Sequence, residues 1–153
     1  MTEILWRFKD HDLTDFPAGS VMVPEGQETG RLFVLHSGTV EVARHGTAVV
    51  RFDEPGTVIG EIATLLKAPH TATVRALTDS RAYVIEDAFH WLEERPAMAL
   101  HIGALLADRL QRTTALLADL QRDSRADTRA AGLLQTIFAN LTGQQGRRPV
   151  IHE

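Results

Sequence analysis

Pro55-Gly56-Thr57-Val58-Ile59-Gly60-Glu61-Ile62-Ala63-Thr64-Leu65-Leu66-Lys67-Ala68-Pro69-His70-Thr71-Ala72-Thr73-Val74-Arg75-Ala76 decides how the chain is read. Gly60 stands ahead of a short helical run, 61–67, set between strand-like segments. The backbone N–H groups from Glu61 to Ala63 point outward there, at the positive end of the helix dipole, which makes that end a site for an anion. Glu61 on the same turn adds a carboxylate, which repels a phosphate but accepts from a sugar hydroxyl. The two features together call for a ligand carrying both groups, such as a nucleotide.

Around this stretch the chain is punctuated by Pro17, Gly19, Pro24, Gly26 and Gly30, the pattern of short strands joined by tight turns. Extended segments are predicted at 20–23, 31–35, 39–43 and 47–52, and again at 71–77 and 81–85. Gly38, Gly46 and Gly56 fall where the backbone must turn back. Residues 1–10 are predicted to form a short helix. After Asp87, read as an N-cap, Ala88, Trp91 and Leu92 keep helical spacing up to Pro96. The fold class is thus mainly β with flanking helices, an antiparallel β-roll or barrel.

From 97 to 122 the pattern is one long helix. Ala99, Gly103, Leu106, Leu110, Thr113, Leu117 and Leu120 repeat at 4-3-4-3-4-3 spacing, a coiled-coil seam that predicts a homodimer through 99–120. Ala99 and Gly103 leave room for close backbone approach. A second stripe through Ile102, Leu105 and Leu116 would face the roll, and a single core helix with a wide apolar face is the alternative. Asp123-Ser124 or Asp127-Thr128 can cap a further helix carrying Ala131, Leu134, Ile137, Phe138 and Leu141, before a polar tail from Gln144. The division expected is 1–95 for the roll, 96–122 for the dimerisation helix and 123–153 for the rest.

A chain of 153 residues with 44% hydrophobic and 24% charged residues is a folded one, and its net charge of −4 opposes the phosphate backbone of nucleic acids. It contains no cysteine, so disulfide and thiolate chemistry are excluded. Residues 1–10 lack the apolar core of a secretory signal, and no run approaches the roughly 18 apolar residues of a membrane helix. A cytoplasmic location with no membrane partner is the expectation.

The segment resembles the phosphate-binding cassette of cyclic nucleotide-binding domains, as found in bacterial cyclic-AMP receptor proteins, kinase regulatory subunits and cyclic-nucleotide-gated channels. Gly60-Glu61-Ile62-Ala63 and Pro69-His70-Thr71-Ala72-Thr73-Val74 carry the likeness, the cassette spanning 60–74. Pro24-Glu25-Gly26, the run from Leu32 to Gly38, and Val40-Glu41-Val42 resemble the family's opening strands and glycine turn. The resemblance implies that Glu61 accepts the ribose 2′-hydroxyl, and that Thr71 and the backbone of Gly60, Glu61, Ile62 and Ala63 hold the phosphate. It also implies cyclic AMP ahead of cyclic GMP as the ligand, no other cofactor, and a regulatory rather than catalytic role.

His70 falls where the family has an arginine. Histidine lacks the arginine's planar fork of donors, so affinity is expected to fall by roughly ten- to a hundredfold. A phosphate beside His70 would raise its pKa and tighten binding as pH falls; otherwise His70 is an exposed loop residue in a domain that has dropped the ligand. Thr113-Thr114 resembles the hydroxyl pair that contacts adenine across the dimer of cyclic-AMP receptor proteins, although Thr113 also fits as a small residue of the seam.

In the family's transcription factors a helix-turn-helix follows the dimer helix. Residues 129–141 resemble only the helix ahead of the recognition element, and the tail with Arg147-Arg148 is too short for more, so direct DNA binding is not expected. A metal-dependent enzyme on a similar roll would need converging histidines, and His11, His36, His45, His70, His90, His101 and His152 contain no His-x-His pair. The remaining rival is a ligand-free dimeric interaction module.

Overall fold

The computed structural model describes residues 2–123, 132–134 and 137. Along it run a 3₁₀ helix (Thr2–Phe8), β1 (Asp12–Phe16), β2 (Val21–Val23), β3 (Leu32–Ser37), β4 (Val40–Arg44), β5 (Thr47–Phe52), β6 (Val58–Ile59), α1 (Glu61–Leu66), β7 (Thr73–Ala76), β8 (Ser80–Ile85), α2 (Ala88–Glu93) and α3 (Pro96–Asp123). The strands form two antiparallel sheets, ordered β1-β8-β3-β6 and β2-β7-β4-β5. This is the β-roll that the sequence predicts. By chain contacts it divides into two units, Met1–Pro96 and Ala97–Glu153.

Between the sheets lie Met22, Val23, Phe33, Leu35, Val40, Ile59, Val74 and Ala82, all buried, with Phe16, Val42, Phe52 and Val84 packed against them. Phe33 and Leu35 alternate along β3 to reach this core. Leu32 and Val34 point the other way and are also fully buried. On that outer side the Phe8 ring stacks on Tyr83 of β8 and on Trp91 of α2. A strand covered on both faces reads as an unbroken apolar run, which is why 32–35 shows no alternation.

Gly38, at the turn between β3 and β4, has φ 98°. A Cβ there would fall 2.2 Å from Ser80 Oγ and 2.6 Å from Ser80 Cα, so the two turns meet only because this residue has no side chain.

Several expectations are corrected. Strands β1 and β6 were not predicted: Asp12-Leu13-Thr14-Asp15-Phe16 is an edge strand with two carboxylates, and β6 is only two residues long. The short opening helix is present as expected, over Thr2–Phe8, in 3₁₀ form. Asp87 does precede α2, but at φ 44° and without a side-chain capping bond. In α3, Leu116 is 61% exposed, so the stripe through Ile102 and Leu105 does not continue to it as a buried surface. The two ends of that stripe lie about 21 Å apart along a helix rising about 1.5 Å per residue.

Gly132, Leu133, Leu134 and Ile137 are helical. The expected caps at Ser124, Asp127 and Thr128, the apolar residues Ala131, Phe138 and Leu141, and the tail with Arg147-Arg148 lie outside the described residues. Among the described residues no helix is long and apolar enough to cross a membrane, and no group of three or more His, Asp or Glu is placed to hold a metal.

Candidate functional site

Gly60 takes φ 88° and ψ 8°, a left-handed turn that joins β6 to α1. A Cβ there would come 2.9 Å from the Arg31 carbonyl oxygen and 3.4 Å from His70 Cε1. The turn is therefore closed by backbone on one side and an imidazole on the other. The Thr64 N–H and hydroxyl both donate to the Gly60 carbonyl, at 3.1 and 2.9 Å. The amides of Glu61, Ile62 and Ala63 thus lie in the first turn, ahead of that bond.

Helix α1 is only six residues long because Lys67 turns left-handed at φ 49°. The Ala68 N–H then donates back to the Ala63 carbonyl at 3.1 Å, a Schellman-type end. The Lys67 ammonium lies 3.9 Å above the Phe89 ring, tying the end of α1 to α2. In the first turn the Glu61 side chain is buried and Ile62 is 45% exposed.

His70 is 5% exposed. Its Nε2 lies 2.7 Å from the Thr29 hydroxyl, its N–H donates to the Gln27 carbonyl at 2.9 Å, and its carbonyl accepts from the Gly26 N–H at 2.8 Å. Burial pushes the imidazole pKa below its ordinary value, favouring the neutral ring. So His70 is neither an exposed loop residue nor an outward cation: its ring lies under Gly60, against the glycine that opens α1. Thr71, next in the chain, is exposed.

Gly60, Glu61, Ile62, Ala63, His70 and Thr71 are thus gathered around one turn of the first unit. Thr113 and Thr114 belong to α3 in the second unit, where the Thr113 hydroxyl donates to the Arg109 carbonyl at 2.8 Å. Of the residues that hold His70, Thr29 and Gln27 were not singled out from the sequence, and Gly26 reads there only as a turn glycine. Thr29 is 41 positions from its partner, and no local pattern marks such a pairing.

Comparison with known proteins bears on the same region. The family profile described as cyclic nucleotide-binding domain matches residues 13–92, more than half of the chain. A CRP-like cAMP-activated global transcriptional regulator of Mycobacterium tuberculosis is 30% identical over 145 residues, covering 91% of this chain and 65% of the relative. The chain therefore spans just under two thirds of that relative's length. Among solved structures, the Thermus thermophilus catabolite activator protein shares the fold, with TM-score 0.62 and 23% identity over 79% of this chain and 57% of that one. The N-terminal domain of a transcriptional regulator from Streptomyces coelicolor A3(2) gives TM-score 0.54 and 27% identity, over 73% of this chain and 84% of that one.

Proposed function

Since the chain belongs to the cyclic nucleotide-binding domain family and is related to CRP-like regulators, we propose that it is a sensor that binds a cyclic nucleotide, cyclic AMP ahead of cyclic GMP, at the turn opening α1. The observation that carries this reading is the left-handed Gly60 turn, with room for no side chain, set beside the buried Glu61. The phosphate takes the first-turn amides and the Thr71 hydroxyl, and Glu61 takes a ribose hydroxyl. His70 serves the site from below, by supporting Gly60, rather than by gripping the phosphate.

Occupancy is passed on through α2. The Lys67–Phe89 contact joins the two helices, and a cleft of about 270 Å³, lined by Ala63, Thr64, Lys67, Asp87 and Phe89 among others, gives α1 space to shift against α2. Homodimerisation through 99–120 is supported by the exposure of Leu110 (46%) and Leu120 (47%), and by the open space around Gly103. Thr113 and Thr114 are the base-contact candidates on that helix. Leu110→Glu should convert the dimer to a monomer in sedimentation; a monomeric native chain at tens of micromolar would refute the pairing.

The second reading, a ligand-free dimeric interaction module, is favoured by the commitment of His70 Nε2 to Thr29. Calorimetric titration with cyclic AMP and cyclic GMP at pH 6 and pH 8 separates the two. Saturable heat, with a rise in melting temperature at excess nucleotide, supports the sensor. No heat and an unchanged melting temperature would favour the module.

A further inference from the structure

The Phe8 side chain, at the end of the 3₁₀ helix, is fully buried, and its ring stacks on Trp91 of α2 with centroids 5.7 Å apart. His11, three residues on, meets the same indole edge-on at 5.3 Å and lies 6.1 Å from Phe8. Its N–H donates to the Phe8 carbonyl at 2.8 Å, so ring and backbone close one compact bend before β1 begins at Asp12. The Arg95 guanidinium sits 4.8 Å from the same indole centroid and donates to the Trp91 carbonyl at 3.2 Å. Trp91 is therefore held by Phe8 and His11, distant in sequence, and by Arg95, four positions on along its own chain segment.

We infer that residues 2–11 form a pH-operated clasp on α2, closed by neutral His11 against Trp91 and loosened when His11 becomes an imidazolium beside Arg95. A second cation on an indole already covered by Arg95 meets like charge, and it must be hydrated at a place where the neutral ring is packed. The other charged groups acting on His11 are Asp10 and Asp12 on its own segment; Glu94 lies 3.5 Å from Arg95 Nη1, and the Phe8 ring beside His11 also stacks on Tyr83 of β8.

The two aspartates favour the imidazolium, but burial first and Arg95 second outweigh them, so the His11 pKa lies below its ordinary value. A depressed pKa gives a clasp at full strength above the ordinary histidine range, weakening as pH falls toward the lower folded value. One further feature eases opening: the buried Trp91 indole N–H has no hydrogen-bond acceptor among the described residues, and water would supply one. Because α2 leads through Arg95 to Pro96, the first residue of α3, acid would free the exit from the roll. This regulation is independent of nucleotide binding.

Trp6 and Trp91 are the only tryptophans, so Trp6→Phe leaves Trp91 as sole reporter. In that background, Trp91 emission should shift reversibly to the red between pH 8 and pH 5. Corrected amide exchange at His11 should accelerate about tenfold for each unit by which its pKa is depressed. His11→Asn should abolish the transition, His70→Asn should leave it, and Arg95→Gln should move its midpoint upward, which a merely structural role would not do. Emission flat from pH 8 to 5, a transition that survives His11→Asn, a midpoint unmoved by Arg95→Gln, or a clasp that tightens in acid would each overturn the inference.

Discussion

His70→Arg should make the protein less stable and a better nucleotide binder at once. The native imidazole is 5% exposed and spends Nε2 on the Thr29 hydroxyl at 2.7 Å. An arginine cannot stay there, because a buried guanidinium with a single acceptor costs several kcal/mol, so its side chain must leave toward the α1 turn. The fold then loses the bond to Thr29, about 0.5–1.5 kcal/mol, and the ring that packs under Gly60, for about 1–3 kcal/mol in all. The same side chain, once outside, brings a fork of charged donors to the phosphate. At about 1.5–3 kcal/mol for a charge-assisted bond, affinity for cyclic AMP should rise about ten- to a hundredfold. Urea denaturation measures the first effect and calorimetry at pH 7.5 the second, with circular dichroism confirming the fold. A folded variant whose affinity is unchanged, or that is as stable as the native chain, would refute the account of His70 given above.

Three further outcomes are expected. His70 and His11 are both depressed by burial, so stability should be complete above the ordinary histidine range and decline as pH falls through it toward the folded values. Urea midpoints at pH 7.5 and 5.5 should show that decline, with His70→Asn and His11→Asn each removing part of it. Cyclic AMP affinity should differ by less than about twofold between pH 6 and pH 8, because a buried neutral ring does not titrate against the phosphate; calorimetric tightening of tenfold toward acid would show that His70 grips the ligand after all. Gly38→Ala should cost about 3 kcal/mol or more, since its Cβ would meet backbone at Ser80, whereas Gly60→Ala should cost about 1–3 kcal/mol and abolish nucleotide binding. Chemical denaturation and calorimetry check both.

What the sequence made legible follows what is local. The cassette turn, the short helix after it and most strands are written in neighbouring residues: a glycine where φ must be positive, a proline where a helix stops, an apolar run where a strand is covered on both faces. Strands β1 and β6 escaped for physical reasons. An edge strand such as Asp12–Phe16 needs apolar residues on one face only and tolerates two aspartates, and Val58–Ile59 is too short to carry a period. Asp87 reads as the N-cap of α2 and stands there, but its left-handed form was not legible, because a left-handed residue and a side-chain cap call for the same residue types and only coordinates separate them.

The site was legible in position and not in direction. Spacing places His70 where the family keeps an arginine, and that placement needs no structure. Which way the ring points is set by Thr29, Gln27 and Gly26, a loop whose hydrogen bonds to His70 span more than forty residues. A hydroxyl at the right height in that loop turns the imidazole inward, burial then favours its neutral form, and the neutral ring fits against a glycine that has no Cβ to displace it. Each step depends on the one before, and the first is a contact between distant residues. Substituting Thr29 by alanine should therefore act on His70 before it acts on anything else: the ring gains freedom to swing outward, its pKa rises toward the ordinary value, and nucleotide affinity acquires the pH dependence the native chain lacks. NMR titration of the His70 ring in Thr29→Ala measures this, and an unchanged pKa there would place the cause of its burial elsewhere in the turn.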